Sequence, residues 1–397
     1  MKILTSRFSG QTPTAPAKYC VFSHFDANNR VERYVLYYLE QLKRCGYEVL
    51  LVSTSQAISD ASVAALSRVC HTVCIRENVG YDFGSYKAGI ELLKQHGARV
   101  SRLLVANDSV FGPFNDLQPI LHAMEREDID LYGLTDSHDH GYHLQSYFIS
   151  YSARLYESSA FNDFWSSVDL ISNTIDNFKQ KIVHNYEVGG SRHFLQAGYS
   201  YAVVFPSRDV LERVFRRTLQ RLDESRQPGT DIVMQPGELV YNLNASHCYW
   251  EELIDMGMPF IKRELLTKNP TATDVSNWPQ KIEASSHYDV SMILEALINQ
   301  EAIENVYPIA IGEAMSVLQT LEDAIEVPIT PALGKWTNAA SVPAAVQFRF
   351  DDPFYLSSYP DVAAAVNAGD FPFGLAHFRH HGFPEGRKCA FKRVVKN

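Results

Sequence analysis

Two stretches carry residue types at spacings that could do chemistry. The first is Arg76-Glu77-Asn78-Val79-Gly80-Tyr81-Asp82-Phe83-Gly84-Ser85-Tyr86-Lys87, a glycine-punctuated polar loop that runs into a helix. The second, one helix later, is an apolar run, Leu103-Leu104-Val105-Ala106, that closes on Asn107-Asp108-Ser109. Gly80 and Gly84 permit positive φ or close backbone approach, and a helix start offers N–H groups to an anionic diphosphate. Asn78, Tyr81 and Asp82 have the groups that meet a base or ribose, and Lys87 or Arg76 the charge that meets phosphate. Asp108, between Asn107 and Ser109, can hold a divalent cation such as Mg2+ or Mn2+, because hard cations take oxygen ligands. The same residues also make a plain strand-to-helix turn and a turn-capping aspartate.

Three more constellations qualify. His24-Phe25-Asp26 follows an apolar run and can receive a nucleotide base, or His24 simply closes the strand. Asp136-Ser137-His138-Asp139-His140-Gly141-Tyr142-His143 invites a zinc reading, but it has neither cysteine ligands nor a helical HxxxH pair. It reads better as a polar loop between two strands, with Asp136 facing the same crevice. Glu187 opens a short helix over 187–197. A carboxylate there can take the proton of an attacking hydroxyl, or merely favour the helix dipole. No GxSxG elbow, Walker loop or kinase signature is present.

The elements that must position these residues follow from periodicity. Tyr19–Ser23, Val49–Val52, Thr72–Ile75 and Leu103–Ala106 read as buried strands. Val31, Tyr34, Val35, Tyr38, Leu39 and Leu42 form a helical stripe, which Asn29 and Glu32 start as a capping box and Gly46 stops. Further helices are expected at Asp60–Val69, after the glycine loop (Tyr86, Ile90 and Leu93 on one face), and over 115–127, 153–168, 174–184, 206–227, 288–301 and 309–325. Strands are expected at Leu131–Leu134, Tyr147–Tyr151 and Tyr201–Phe205. This βαβαβαβ order predicts an α/β fold, a doubly wound, mainly parallel sheet with helices on both faces and a helical C-terminal region. Ligands of such sheets lie beyond the carboxyl ends of the strands, where the three motifs before residue 110 fall.

Bulk properties agree with a soluble globular protein. The chain has 397 residues, 46% hydrophobic and 21% charged, with a net charge of -10 that argues against a nucleic-acid partner. Cys20, Cys45, Cys70, Cys74, Cys248 and Cys389 show neither redox nor zinc spacing and read as reduced thiols. No signal peptide or transmembrane run is expected, which suits a cytoplasmic protein, if need be peripheral at the inner face of the membrane.

With these residues laid out, the chain from about residue 18 to 270 resembles the rhamnan synthesis protein F family of bacterial glycosyltransferases. The resemblance rests on His24-Phe25-Asp26, Glu77–Gly84, Asn107–Phe114, Leu144–Phe148, Tyr186-Glu187-Val188-Gly189 with Gly198-Tyr199, and Pro259–Leu266 with Asn269-Pro270. It implies a GT-A-like fold and transfer of a sugar, typically rhamnose from a dTDP donor, to a surface polysaccharide, with a glycan or lipid-linked glycan as acceptor. The Asn78–Gly80 loop and Asp108 also parallel the layout of family-2 glycosyltransferases, where the position of Asn107–Ser109 carries an Asp-x-Asp metal motif. This chain departs from it. In that layout Glu187 stands where a catalytic base precedes a short helix.

The expected organisation is a lead-in over 1–17, the transferase domain over 18–270, a helical extension over 271–327, a linker over 328–349 and a small module over 350–397. The last carries Phe354-Tyr355-Leu356, Tyr359-Pro360-Asp361, Gly374 with His377-Phe378, and Gly382 with Glu385-Gly386-Arg387. It resembles a short repeat of bacterial glycan-related proteins, suited to docking. The chemistry expected is a single displacement with inversion, with Glu187 or Asp136 as base. A non-catalytic glycan-binding or assembly protein and a zinc hydrolase are the other classes open.

Overall fold

The computed structural model describes residues 2–8, 13–126, 128–138, 141–170, 178–211, 213–214, 233–234, 244–271, 273–299, 346–371, 373–378, 381, 387 and 391–395. It comprises two compact units. One is Met1–Pro206 with Ile254–Arg263 and Pro279–Glu301; the other is Ser207–Leu253 with Glu264–Trp278 and Ala302–Asn397.

The first unit is built on one large sheet. Its elements are β1 (Ile3–Phe8), β2 (Ala17–His24), α1 (Arg33–Arg44), β3 (Tyr47–Ser53), α2 (Asp60–Val69), β4 (Thr72–Arg76), α3 (Tyr81–Gln95) and β5 (Val100–Asn107). There follow β6 (Val110–Phe111), α4 (Gln118–Met124), β7 (Leu131–Ser137), β8 (His143–Leu144), β9 (Phe148–Ser152), α5 (Ala153–Tyr156), α6 (Ser159–Ser167), α7 (Phe178–Ile182), α8 (Gly189–Gln196) and β10 (Tyr201–Phe205). The strand order is β1-β4-β3-β2-β5-β9-β7-β10. β2, β3, β4 and β5 are parallel, and so are β7 and β10.

The chain steps from β2 outward through α1 and α2, then returns through α3 to lay β5 on the other side of β2. Right-handed crossovers in opposite directions put these helices on opposite faces. The reversal leaves a crevice at the carboxyl ends of β2 and β5. Tyr19, Cys20, Val21 and Phe22 have no exposed surface, which explains the unbroken apolar run in β2. α3 lies close over that strand. A Cβ on Gly89 would come within 2.3 Å of Val21 Cγ1, so glycine sets the approach.

Several expectations need correction. Residues 3–8 are not a loose lead-in but an edge strand, antiparallel to β4. The expected mainly parallel sheet stands, with β9 entering antiparallel between β5 and β7, since the short β8 connection cannot make a parallel crossover. The capping box does not form. Glu32 sits at the N-cap without a side-chain cap bond and accepts Asn299 Nδ2 at 3.1 and 3.0 Å, while Asn29 adopts φ 58 and accepts the Ala57 N–H at 3.0 Å. The helix expected over 115–127 shortens to α4. Most of 206–227, the whole of 309–325 and residues 328–345 of the expected linker lie outside the described residues, while residues 346–349 of that linker belong to a strand.

The second unit contains a three-stranded antiparallel sheet, with Val346–Phe350 between Val233–Met234 and Phe391–Val395. Helices Asp352–Ser358, Pro360–Ala368 and Gly374–His377 accompany it, so the expected helical module also carries strands. Tyr355 is fully buried, with its hydroxyl 3.1 Å from His377 Nδ1.

Candidate active site

Ser23 and Asn107 are register neighbours on β2 and β5, at the carboxyl ends where the strand order reverses. The first turn of α3 brings Asp82 to both. Its carboxylate accepts Ser23 Oγ at 2.7 Å and Asn107 Nδ2 at 3.0 Å. Asn107 Oδ1 in turn accepts Ser109 N at 3.1 Å and Ser109 Oγ at 2.6 Å. Burial, then repulsion from Asp108, pushes the Asp82 carboxyl up to about 6; Glu187 adds to the repulsion, and the Ser23 and Asn107 bonds offset part of it. Asp82 therefore feels two carboxylates supplied by other parts of the chain.

The loop before α3 takes its shape from Arg76. This side chain is fully buried. Nη1 donates to the carbonyls of Glu77 (3.0 Å) and Val79 (2.6 Å), Nη2 to the carbonyl of Tyr81 (2.9 Å) and to Ser85 Oγ (2.9 Å), and Nε to Ser85 Oγ (3.2 Å). Burial lowers the guanidinium to about 10, with Asp82 opposing the shift. Arg76 thus braces the loop from inside and does not reach for phosphate. A Cβ on Gly84 would sit 2.7 Å from Val79 O and 2.8 Å from Arg76 Nη2, so Gly84 serves this packing. Gly80 adopts φ 75 and starts α3, Asn78 is half-buried, and Tyr81 is 41% exposed. Lys87 is turned elsewhere. Its ammonium donates to the carbonyls of Ser166 (3.1 Å) and Val168 (2.8 Å), closing the end of α6 rather than facing a phosphate.

Asp108 is engaged from two sides. Oδ2 accepts the Phe25 N–H at 3.1 Å and lies 3.4 Å from Arg263 Nη1. The same Nη1 donates to Asp108 O at 3.0 Å and to Tyr34 Oη at 2.8 Å. Phe25 is 45% exposed. His24 and Asp26 are not. The His24 ring is buried against Ser53 Oγ at 2.9 Å, and burial lowers its pKa. Asp26 Oδ1 accepts the N–H groups of Asn28 (2.9 Å) and Arg30 (3.0 Å), so it organises the turn after β2. Of the His24–Asp26 motif, Phe25 is the member with a surface to offer.

Glu187 does not open a helix. α7 and α8 run into each other through a π-helical turn, Val183–Val188, so Glu187 sits inside one continuous helical segment. Its reading as a dipole partner at a helix start therefore lapses, and such turns often mark functional positions. Oε1 accepts the Ser146 N–H at 3.2 Å and also Ser146 Oγ; Oε2 lies 3.9 Å from His143 Nε2. Ser146 O accepts Tyr86 Oη at 3.0 Å, which ties this carboxylate to α3. Asp136, at the end of β7, is buried and hydrogen-bonds the Tyr142 hydroxyl, whose pKa rises through burial and then the Asp136 charge. Asp139 and His140 of the zinc reading lie outside the described residues, and among the described residues no group of three His, Cys, Asp or Glu side chains is placed to hold a metal ion.

Sequence reasoning passed over Arg263, Tyr34 and Ser23. Arg263 was visible inside the Pro259–Leu266 motif, but only the pairing of Ile261–Lys262 with β6 shows that it arrives at Asp108.

A family model described as rhamnan synthesis protein F matches residues 49–220. The virulence protein VirA of Vibrio anguillarum is 30% identical over 233 residues, spanning 58% of this chain and 73% of that protein. The chain belongs to the rhamnan synthesis protein F family. The uncharacterized protein y4gN of Sinorhizobium fredii is 27% identical over 178 residues, 44% of this chain and 45% of that one. Among solved structures, the glycosyltransferase GlyE of Streptococcus pneumoniae aligns at a TM-score of 0.33 and 10% identity, over 78% of this chain and 73% of that chain. A mannosyltransferase of Pyrobaculum calidifontis, in complex with GDP-Man and Mn2+, aligns at 0.29 and 12%, over 79% and 86%. Likeness at those scores carries no argument about this chain.

A divalent cation at Asp108 is what the family-2 layout implies, and this family member's residues do not fit one. The Asp108 carboxylate faces a guanidinium and a backbone N–H, its neighbour Asn107 is neutral, and the Asp82 oxygens are taken by Ser23 and Asn107.

Proposed function

We propose that this protein is a GT-A-type glycosyltransferase that moves a sugar from a nucleoside diphosphate to a glycan, with inversion. The donor is dTDP-rhamnose and the acceptor a surface-polysaccharide precursor, free or lipid-linked, met at the cytoplasmic face of the membrane. Membership of the rhamnan synthesis protein F family is the observation that carries this reading. The placement of Phe25, Tyr81, Asp82 and Asn107–Ser109 at the strand-order reversal supports it. Phe25 and Tyr81 offer exposed rings for the base, and Asn78, Gly80, Asp82, Asn107 and Ser109 offer polar and backbone groups for the ribose and diphosphate.

Glu187 takes the proton of the acceptor hydroxyl, whose oxygen attacks the anomeric carbon. The bond from that carbon to the phosphate oxygen breaks, and the nucleoside diphosphate leaves with the electron pair. Glu187 is preferred to Asp136 because it is the carboxylate in electrostatic contact with Asp82, whereas Asp136 is held by Tyr142.

Calorimetric titration with dTDP-rhamnose and with UDP- and GDP-sugars, followed by an assay of nucleoside diphosphate release, tests the proposal. Binding of one donor and slow release of its diphosphate are expected. Failure of every donor to bind overturns the reading, and binding with no turnover towards any acceptor returns the protein to a non-catalytic assembly role.

A further inference from the structure

We propose that donor binding by this protein needs no divalent cation, because the guanidinium of Arg263 holds the place beside Asp108 that a cation would take. The inference rests on the glycosyltransferase reading above and concerns how that site meets the diphosphate.

Arg263 is held at its backbone and at one guanidinium nitrogen. Its backbone N–H donates to Ser109 O at 2.9 Å, as the strand Ile261–Lys262 pairs antiparallel with β6, Ile261 opposite Phe111 and Lys262 opposite Val110. At the other end Nη1 meets Tyr34 Oη at 2.8 Å, Asp108 O at 3.0 Å and Asp108 Oδ2 at 3.4 Å. Tyr34 is itself buried, with its hydroxyl 3.2 Å from Asp108 O, so the guanidinium sits in a constructed seat and is no surface side chain resting on a neighbour. Burial opposes the charge on Arg263, but Tyr34 and Asp108 outweigh it, and the group stays protonated.

A dication brought to Asp108 would have to displace this cation or share one carboxylate with it. The stretch that could have supplied a second ligand carries the neutral Asn107, whose amide is spent on Asp82 and Ser109. The Arg263 side chain keeps 22% of its surface exposed, against 10% for that of Asp108. A planar guanidinium with N–H donors in a fork suits phosphate oxygens, and charge on a departing diphosphate is what the transition state must bear.

The test is calorimetric binding of dTDP, UDP and GDP to the full chain in EDTA and in Mn2+, repeated with Arg263→Ala and Arg263→Lys, with circular dichroism to report folding. The wild type is expected to bind one nucleotide equally well in EDTA and Mn2+. Arg263→Ala should weaken that binding by about tenfold or more in EDTA, with Arg263→Lys between the two. Wild-type binding that appears only with Mn2+ overturns the inference while leaving the glycosyltransferase reading intact. So does Arg263→Ala binding as tightly as wild type. If Arg263→Ala proves unfolded, the wild-type comparison and Arg263→Lys still decide. Absence of binding by the wild type under both conditions strikes instead at the glycosyltransferase reading.

Discussion

The carboxylate of Asp82 accepts the side-chain amide of Asn107 at 3.0 Å, joining the first turn of α3 to the end of β5. The bond settles which way the Asn107 amide points, since a carboxylate can only accept and Nδ2 must face it. Oδ1 is thereby directed to Ser109, and the conformation of the Asn107–Ser109 turn follows. The second acid missing from this turn is thus present in space, contributed by another βα unit. It acts on the turn by orienting an amide.

That placement has a pH signature. Asp82 in the folded protein titrates near 6, above the ordinary aspartate value of about 3.9 in an unfolded chain. Its protonated form is the favoured one when folded. The stability it contributes is therefore complete below about pH 4 and lost as pH rises through about 6. Asp82→Asn cannot ionise and keeps an acceptor oxygen for Ser23 or Asn107. Relative to wild type it should gain stability between about pH 4 and 6, by on the order of 2 kcal/mol, and hold that gain at neutral pH. Urea unfolding of both proteins at a series of pH values measures this. A difference that does not change with pH would falsify the proposed environment.

How much of this was legible depends on the kind of interaction. The α1 stripe, α2 at Asp60–Val69 and β10 at Tyr201–Phe205 could be read because burial of one face imprints a period on the residues themselves. The glycine loop could be located for the same reason that Gly80 is needed, its positive φ. The brace inside that loop could not. Arg76 spends most of its donors on backbone carbonyls, which every residue type carries, so its partners leave no trace in the sequence. Lys87 looked available because its acceptors, the carbonyls of Ser166 and Val168, are equally anonymous. Glu187 looked like a helix start because a π turn leaves no periodic signal over so few residues.

Arg76 yields a sharp comparison between substitutions. Five donor contacts from one planar group hold Glu77, Val79, Tyr81 and Ser85. Lysine carries charge but only three donors on one atom, and it cannot span that set. Arg76→Lys should therefore destabilise by about 3 kcal/mol or more, with Arg76→Met no better, because each leaves buried carbonyls without donors. Chemical denaturation reads the loss, and a lysine variant as stable as wild type would show that the brace does not matter.

Two glycines with positive φ separate conformation from contact. Gly97 has φ 64 with nothing within 4 Å of an added Cβ, whereas Gly80 has φ 75 with Leu170 Cδ2 at 3.0 Å. Gly97→Ala should cost only the left-handed penalty of about 1 kcal/mol. Gly80→Ala should cost more and also weaken nucleotide binding, since the start of α3 moves with it. Thermal unfolding of the two variants side by side checks the order, and equal losses would remove the Leu170 contact from the account.

Glu187 is the residue on which proposed turnover depends. Ser146 holds Oε1 through both its N–H and its hydroxyl, and His143 Nε2 lies 3.9 Å from Oε2, so the carboxylate is positioned by a backbone N–H, a hydroxyl and an imidazole. Glu187→Gln keeps the size and one acceptor oxygen, so the hydrogen bond to Ser146 survives and the fold with it. What it loses is the ability to take a proton, a loss of about 10² to 10⁴ in rate for general-base catalysis. The fall should appear in kcat, with calorimetric nucleotide affinity unchanged, because in the proposed mechanism the base acts on the acceptor while the nucleotide meets Phe25, the Gly80 loop and Asn107–Ser109. Asp136→Asn should leave kcat within about threefold of wild type if Glu187 alone is the base. Full turnover in Glu187→Gln, or the large loss falling on Asp136→Asn instead, would transfer the role to the carboxylate at the end of β7.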